Sequence, residues 1–343
     1  MMIKNKFIAI ALSAVLAIPA AVTLIPGADI ETKAEAAIDV TTYGALPDDN
    51  VDDREAINNA IRAANEAGGG TVTMPAGTFD VILEPLYGMG IELRDNVTLQ
   101  MDKKTILKCT TKNWKRYAVI SIKGCKNASI INGQIHGHRK SKVTSEDCYG
   151  LNIRDASNIR IEGLTIKNIM TDGIYLGSMD DYDNLYGCNK ITIKKCTVSN
   201  SGRNNIAIVD ADNVTIDGCT IKKAKGIAPQ CGINIEPNQD NGVPRKKQVC
   251  NKITIKNTKV TCVKSGVDNN YYALQIMNPW HNVSEKNNIV AKNVKITGCT
   301  LGGDCGNFSG SKVTFSNCKI AGTLYTKKPT TIKKTTYKKL ASY

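Results

Sequence analysis

The chain has 343 residues, a formal net charge of +14 and 12 cysteines, with 42% hydrophobic and 5% aromatic residues. That hydrophobic content is too high for a disordered chain, and a length above the usual single-domain range fits one elongated repeat fold with a continuous core. The basic surface favours anionic partners over neutral ones.

Residues 1–36 read as a secretory signal: Lys4 and Lys6 make a basic start, Phe7 to Ala17 is apolar, and Ala34-Glu35-Ala36 is an A-x-A cleavage site. Pro19, Pro26, Gly27 and Asp29 break the run before it reaches the ~18 apolar residues of a membrane span. The mature protein is expected to begin near Ala37 and to be secreted, with no membrane association after cleavage. In that setting an anionic glycan is the expected partner and nucleic acid is not, since an exported protein seldom meets it.

Next comes a candidate helix. Asp53 is placed to cap it, Ala56, Ile57, Ala60, Ile61 and Ala64 share one face, and Gly68-Gly69-Gly70 stops it. Beyond it one phrase recurs, apolar-x-apolar-x-x-small-x-apolar, beginning at Val97, Ala128, Ile159, Ile191, Val214, Ile253, Val294 and Val313. The steps, roughly 20–40 residues, are those of a repeat architecture. Within each phrase Val, Ile and Thr alternate with Lys, Arg, Asp and Asn, a period of two that excludes a helical solenoid. Asn127, Asn158, Asn189, Asn213, Asn251 and Asn293 stand just before the phrases, where a left-handed corner or a side-chain ladder would use them structurally.

A second strand precedes several phrases, as in GLNIR at Gly150, GIYLG at Gly173, NIAIV at Asn205, GINIE at Gly232 and ALQIM at Ala273. Alternation sends Leu151, Ile174, Ile206, Ile233 and Leu274 inward. It sends Asn152, Arg154, Tyr175, Asn234, Glu236 and Gln275 outward as one stripe, with coils ~4.8 Å apart. Inserts from Ser178 to Gly187, Pro237 to Cys250 and Asn278 to Asn288 leave the same corner and should wall the stripe into a groove.

Cysteines would suggest a disulfide framework in a small exported chain, but Cys196, Cys219, Cys299 and Cys318 hold one place in the repeat, as small buried hydrophobes do. No CxxC pair occurs and no metal ligand set is assigned. Residues 37–325 are expected to form the repeat domain, and 326–343 a basic tail covering the last coil or hanging free.

The segment from Asp39 to Val81, DVTTYGALPDDNVDDREAINNAIRAANEAGGGTVTMPAGTFDV, resembles the opening of the pectate-lyase-like β-helix proteins, a superfamily shared by polygalacturonases, some polysaccharide lyases and phage tailspikes. With the repeats, the resemblance covers nearly all of the mature chain. It implies an all-β fold, a single-stranded right-handed parallel β-helix whose N-terminal helix caps the open end. Thr171-Asp172-Gly173 is similar to the first acidic motif of polygalacturonases. Where that family has further acidic, Gly-His-Gly and Arg-x-Lys positions, this chain has Tyr175, Arg203-Asn204 and Gln230-Cys231-Gly232, and no Arg-x-Lys follows Leu274. The epimerase run Tyr-Gly-Phe-Asp-Pro-His is absent too.

These readings place Asp172, Arg203 and Glu236 as candidate catalytic residues. Arg154, Tyr175, Asn204, Gln230, Asn234, Gln275 and Trp280 are candidate substrate contacts, with Tyr271 and Tyr272 as further stacking faces. Asp172 and Glu236, two coils apart and offset along the strand, make a poor direct pair of carboxylates. The expected activity is cleavage of an acidic polysaccharide, hydrolysis slightly ahead of elimination; a non-catalytic glycan-binding or adhesion role is the alternative. Elimination needs a base and a cation, for which Arg203 serves, and Asp180, Asp181 and Asp183 would offer oxygen ligands to calcium. His136 and His138 face one way as a possible acid or base pair. A monomer is expected.

Overall fold

A computed structural model of the chain describes residues 37–83, 88–111, 116–139, 147–179, 187–237, 250–261, 271–278 and 291–342. Among them, strands of two to eight residues wind into three parallel sheets of eleven, ten and nine strands around one apolar interior. Every pairing is parallel, and like stacks on like: Ile159, Ile191, Val214, Ile253 and Val294 form one in-register column.

The recurring phrase is not one strand. Gly163, at φ +71°, turns the chain between Ser157–Glu162 in the eleven-stranded sheet and Thr165–Lys167 in the nine-stranded sheet. Lys195, Gly218 and Gly298 take the same left-handed turn in later coils, and the small position that follows it is buried, as at Cys196 and Cys219. Asn127, Asn158, Asn213 and Asn293 adopt positive φ as expected, whereas beside Asn189 and Asn251 the left-handed residue is the next one, Lys190 or Lys252. The side-chain ladder survives this shift: Asn158 Nδ2 donates to Asn127 Oδ1 at 2.8 Å and Asn293 Nδ2 to Asn251 Oδ1 at 2.8 Å.

The helix Arg54–Glu66 buries Ile57, Ala60, Ile61 and Ala64, as its periodicity requires. Its expected cap is corrected: Asp53 makes no side-chain cap bond. Its carboxylate instead accepts from Leu46 N at 2.9 Å and Asp80 N at 2.8 Å, tying the entry segment to the first coil. Burial pushes its pKa up to about 6 despite those two bonds.

The eleven described cysteines are all free and buried. In one column they alternate with alanine, Cys188, Ala211, Cys250, Ala291, so successive thiols stand two coils apart. The basic C-terminal stretch is not a free tail. Thr330–Lys333 pairs with Val313–Ser316 and Lys339–Ala341 with Thr323–Thr326, so it adds a further coil to the stack. Residues 1–36 lie outside the described residues, as does nearly all of each of the three inserts. No described helix is long and apolar enough to cross a membrane.

Candidate functional site

The ten-stranded sheet carries the candidate residues. Its strands Asp147–Arg154, Asp172–Gly177, Ile206–Ile208, Ile233–Ile235 and Tyr272–Ile276 stack in register. One row on the outer side of the sheet runs Ser121, Asn152, Tyr175, Ala207, Asn234, Gln275, Gly306, Tyr325, but Ser121, Asn152, Ala207, Asn234 and Gln275 are buried there rather than exposed as the alternation suggested.

Strict alternation from Ile174 would send Asp172 inward. Two successive residues face the core instead: a Cβ on Gly173 would lie 2.4 Å from Val198 Cγ1, and Ile174 is also fully buried. Gly150 and Leu151 repeat the arrangement one coil earlier, a Cβ on Gly150 meeting Ile166 Cγ2 at 2.8 Å. This doubling returns Tyr149 and its register partner Asp172 to the outer side, beside Tyr175.

Asp172 is fully buried and fully engaged. Arg203 Nε donates to Oδ1 at 3.1 Å, Arg203 Nη2 to Oδ2 at 2.5 Å, and Asn204 N to Oδ1 at 2.9 Å. Burial works against the Arg203 charge, but Asp172 first, then Tyr149 and Glu236, raise its pKa above the ordinary arginine value. Asn204 continues the chain of contacts, its Oδ1 accepting from Cys231 N at 3.1 Å.

Above this pair the Tyr149 and Tyr175 rings lie 4.8 Å apart, and the Arg154 guanidinium sits 4.6 Å from the Tyr175 ring centre and 5.8 Å from that of Tyr149. Arg154 is fixed by Nε donating to Asn152 Oδ1 at 3.1 Å and Nη1 to Ser178 O at 2.8 Å. Burial, then Tyr175, raises the Tyr149 phenol well above its ordinary pKa, although Arg154 opposes this. The phenol therefore holds its proton, donating toward Asp147 Oδ1 at 3.0 Å.

The other candidates divide. Asn234 and Gln275 stand side by side in this row; Asn234 Nδ2 donates to Glu236, and Asn234 Oδ1 is buried without a hydrogen-bond partner among the described residues. Gln275 Oε1 accepts from Cys231 Sγ at 3.1 Å. Gln230 turns to its own loop, accepting from Gly226 N at 2.8 Å. Trp280, Asp180, Asp181 and Asp183 lie outside the described residues, so the calcium expectation falls there; the described residues contain no cluster suited to a metal ion. His136 belongs to the nine-stranded sheet, away from Asp172, with Nε2 against Gln134 Oε1 at 2.9 Å; burial, then Lys167, lowers its pKa to about 4. Sequence reasoning missed Tyr149. Its signal was the phrase residue-Gly-apolar, shared by Tyr149-Gly150-Leu151, Asp172-Gly173-Ile174 and Cys231-Gly232-Ile233.

Further along the same face Tyr272, Phe308 and Tyr325 cluster, with ring centres 5.5 to 6.1 Å apart. Phe308 lies over Gly306, where a Cβ would come within 2.1 Å of its ring.

Comparison with known proteins agrees with this architecture. The family described as "Right handed beta helix region" matches residues 78–243 and 149–267, and "Rhamnogalacturonase A/epimerase, pectate lyase-like" matches 37–100. The uncharacterized protein YclG of Bacillus subtilis (strain 168) is 30% identical over 268 residues, 71% of this chain and 45% of that protein. The mannuronan C5-epimerase AlgE6 of Azotobacter vinelandii is 52% identical over 62 residues, 18% of this chain and 7% of that protein. The chain thus spans less than half the length of the curated relatives it matches. Among solved structures, the A-module of the Azotobacter vinelandii mannuronan C-5 epimerase AlgE4 superposes with a TM-score of 0.63 at 15% identity, covering 87% of this chain and 76% of that one. That likeness is one of fold. With in-register parallel coils and a family match running from residue 78 to 267, the chain belongs to the right-handed parallel β-helix proteins of the pectate-lyase-like kind.

Proposed function

We propose that this chain is an extracellular carbohydrate-active enzyme that lays an acidic polysaccharide along the outer face of the ten-stranded sheet and cleaves it by β-elimination. The observation that carries the reading is the Tyr149–Tyr175–Arg154 stack above the buried Asp172–Arg203 pair, set in a row of amide and aromatic side chains one coil apart. Relatives and structural neighbours named for mannuronan epimerisation, polygalacturonase activity and carrageenan binding support polysaccharide as the substrate class.

Two features of the geometry favour elimination over hydrolysis, which the sequence put slightly ahead. Hydrolysis by two carboxylates asks for a pair ~5–10 Å apart with one acid free to donate. Asp172 is saturated by Arg203 and Asn204, and Glu236 is bonded to Asn234. Elimination asks for a cation on the uronate carboxylate, which acidifies the neighbouring C–H, and for proton-transfer groups beside it. Arg154 is the cation on the face; Tyr175, as its phenolate, is assigned as the base that takes the C5 proton, and as the C4–O bond breaks Tyr149, entering protonated, gives its proton to the departing glycosidic oxygen.

Incubating the full chain with alginate, polygalacturonate and carrageenan, with and without calcium, tests the reading. Product absorbing in the ultraviolet is expected. Reducing ends without that absorbance would overturn elimination in favour of hydrolysis. The second reading, a non-catalytic glycan binder, is favoured by the engagement of Asp172 with Arg203 and Asn204; it gains if polymer is bound and no product forms from any of the three polymers.

A further inference from the structure

A cavity of about 330 Å³ opens where the same face begins, lined among others by Glu92, Arg94, Asp95, Ser121 and Lys123. That volume falls within the ~300–1,000 Å³ of small-molecule sites. Register ties it to the face already described. Glu92 pairs with Ser121 and Ser121 with Asn152, the row that next reaches Tyr175, while Lys123 pairs with Arg154 in the adjoining row.

Its polar groups differ in how far the protein itself uses them. Asp95 is committed to the backbone, Oδ1 accepting from Lys126 N at 2.8 Å. Ser121 is buried on the cavity wall. The Glu92 carboxylate, the Arg94 guanidinium and the Lys123 ammonium make no ion pair or side-chain hydrogen bond among the described residues. Two cations, the Glu92 carboxylate, the backbone-bound Asp95 carboxylate and one hydroxyl thus converge from two successive coils on one polar hollow. This is the donor and acceptor set that a sugar acid needs, with its carboxylate on the cations and its hydroxyls on Glu92 and Ser121.

We propose that this cavity is a distal subsite for an acidic sugar residue of the polysaccharide whose reacting unit lies over Tyr149 and Tyr175. The inference rests on the reading of the ten-stranded sheet as a polysaccharide face. Ser121 and Tyr175 are two coil spacings apart, ~10 Å, about the length of two sugar units. A disaccharide over Tyr175 falls short of Lys123, and a hexasaccharide reaches it.

Calorimetric titration of the full chain with oligogalacturonates and oligomannuronates, each as disaccharide and hexasaccharide, decides the matter, with cellohexaose as the neutral comparison. The native chain is expected to bind an acidic hexasaccharide more tightly than the disaccharide. The double variant Glu92→Gln, Lys123→Ala should lose about tenfold in hexasaccharide affinity and nothing on the disaccharide, with an unchanged circular dichroism spectrum. If the double variant binds hexasaccharide like the native chain while Tyr175→Ala weakens it, the subsite is refuted and the face reading stands. Native chain that binds neither acidic hexasaccharide overturns both. Equal affinity for cellohexaose refutes the acidic class.

Discussion

Arg203 clasps Asp172 across a separation of one coil, two nitrogens on two oxygens at 3.1 and 2.5 Å, with the Asp172 side chain wholly inaccessible and that of Arg203 16% exposed. Removing the cation strands a buried charge, which typically costs about 3–5 kcal/mol. Arg203→Ala is therefore expected to lower the urea unfolding free energy by about that much. The double change Arg203→Met, Asp172→Leu should recover most of it. A double variant as unstable as the single one would show that the pair is not the source of the loss.

Tyr149→Phe keeps the ring against Tyr175 and deletes the proton-bearing oxygen. Proton transfer by a positioned side chain contributes ~10²–10⁴-fold, so kcat for the ultraviolet-absorbing product should fall by at least about a hundredfold with little change in KM. Tyr175→Ala, which removes a stacking face, should raise KM as well.

Gly173 permits the doubled inward geometry. Alanine there would press its Cβ to 2.6 Å from Asn205 O and 2.4 Å from Val198 Cγ1. Overpacking of this kind costs about 1–3 kcal/mol. Thermal unfolding of Gly173→Ala should show that loss together with weaker polysaccharide binding, because Asp172 and Tyr175 flank the displaced backbone. Gly68→Ala has open space but a φ of +100°, and should destabilise the helix end without touching binding.

Two groups give stability opposite pH slopes. His136 has its folded pKa lowered from 6.5 to about 4 by burial, then Lys167, so the unfolded chain takes up the proton first and stability falls as pH drops through that window. Asp53 has its folded pKa raised from 3.8 to about 6 by burial, so the folded chain takes up the proton first and stability rises as pH drops through it. Denaturation of His136→Gln at pH 7 and 5 should show a smaller acid loss than the native chain. An identical loss would mean that His136 titrates alike in both states.

The Cys188 and Cys250 thiols should be silent until unfolding. Burial raises the Cys188 thiol to about 12, and the alternation with alanine separates it from Cys250 by two coils, farther than a disulfide spans. All twelve should react in denaturant without reductant. Fewer than twelve would reveal a disulfide.

The coil stack was legible in the sequence because its cause is local and repeated. Alternation of Val, Ile and Thr with charged residues, interrupted at each corner, suffices to say which side chains face inward and that each coil must sit on another. The same repeat told that Cys196, Cys219, Cys299 and Cys318 pack as small hydrophobes, and their burial agrees. The site was legible only as a stripe. Asp172 and Arg203 were both singled out, yet their union depends on which residues of neighbouring coils come level, and loop lengths and the doubled Gly173-Ile174 set that register. Tyr149 escaped for the same reason, since strict alternation would place it on the other side of the sheet. The basic C-terminal stretch left two readings open, because its exposed Lys and Thr resemble a solvated tail, while its backbone pairs with the coil before it. Inward packing is written in each residue's own neighbourhood; a buried ion pair across coils, the stacking of two phenols under Arg154 and a pocket at the first coils exist only once distant segments are stacked in register.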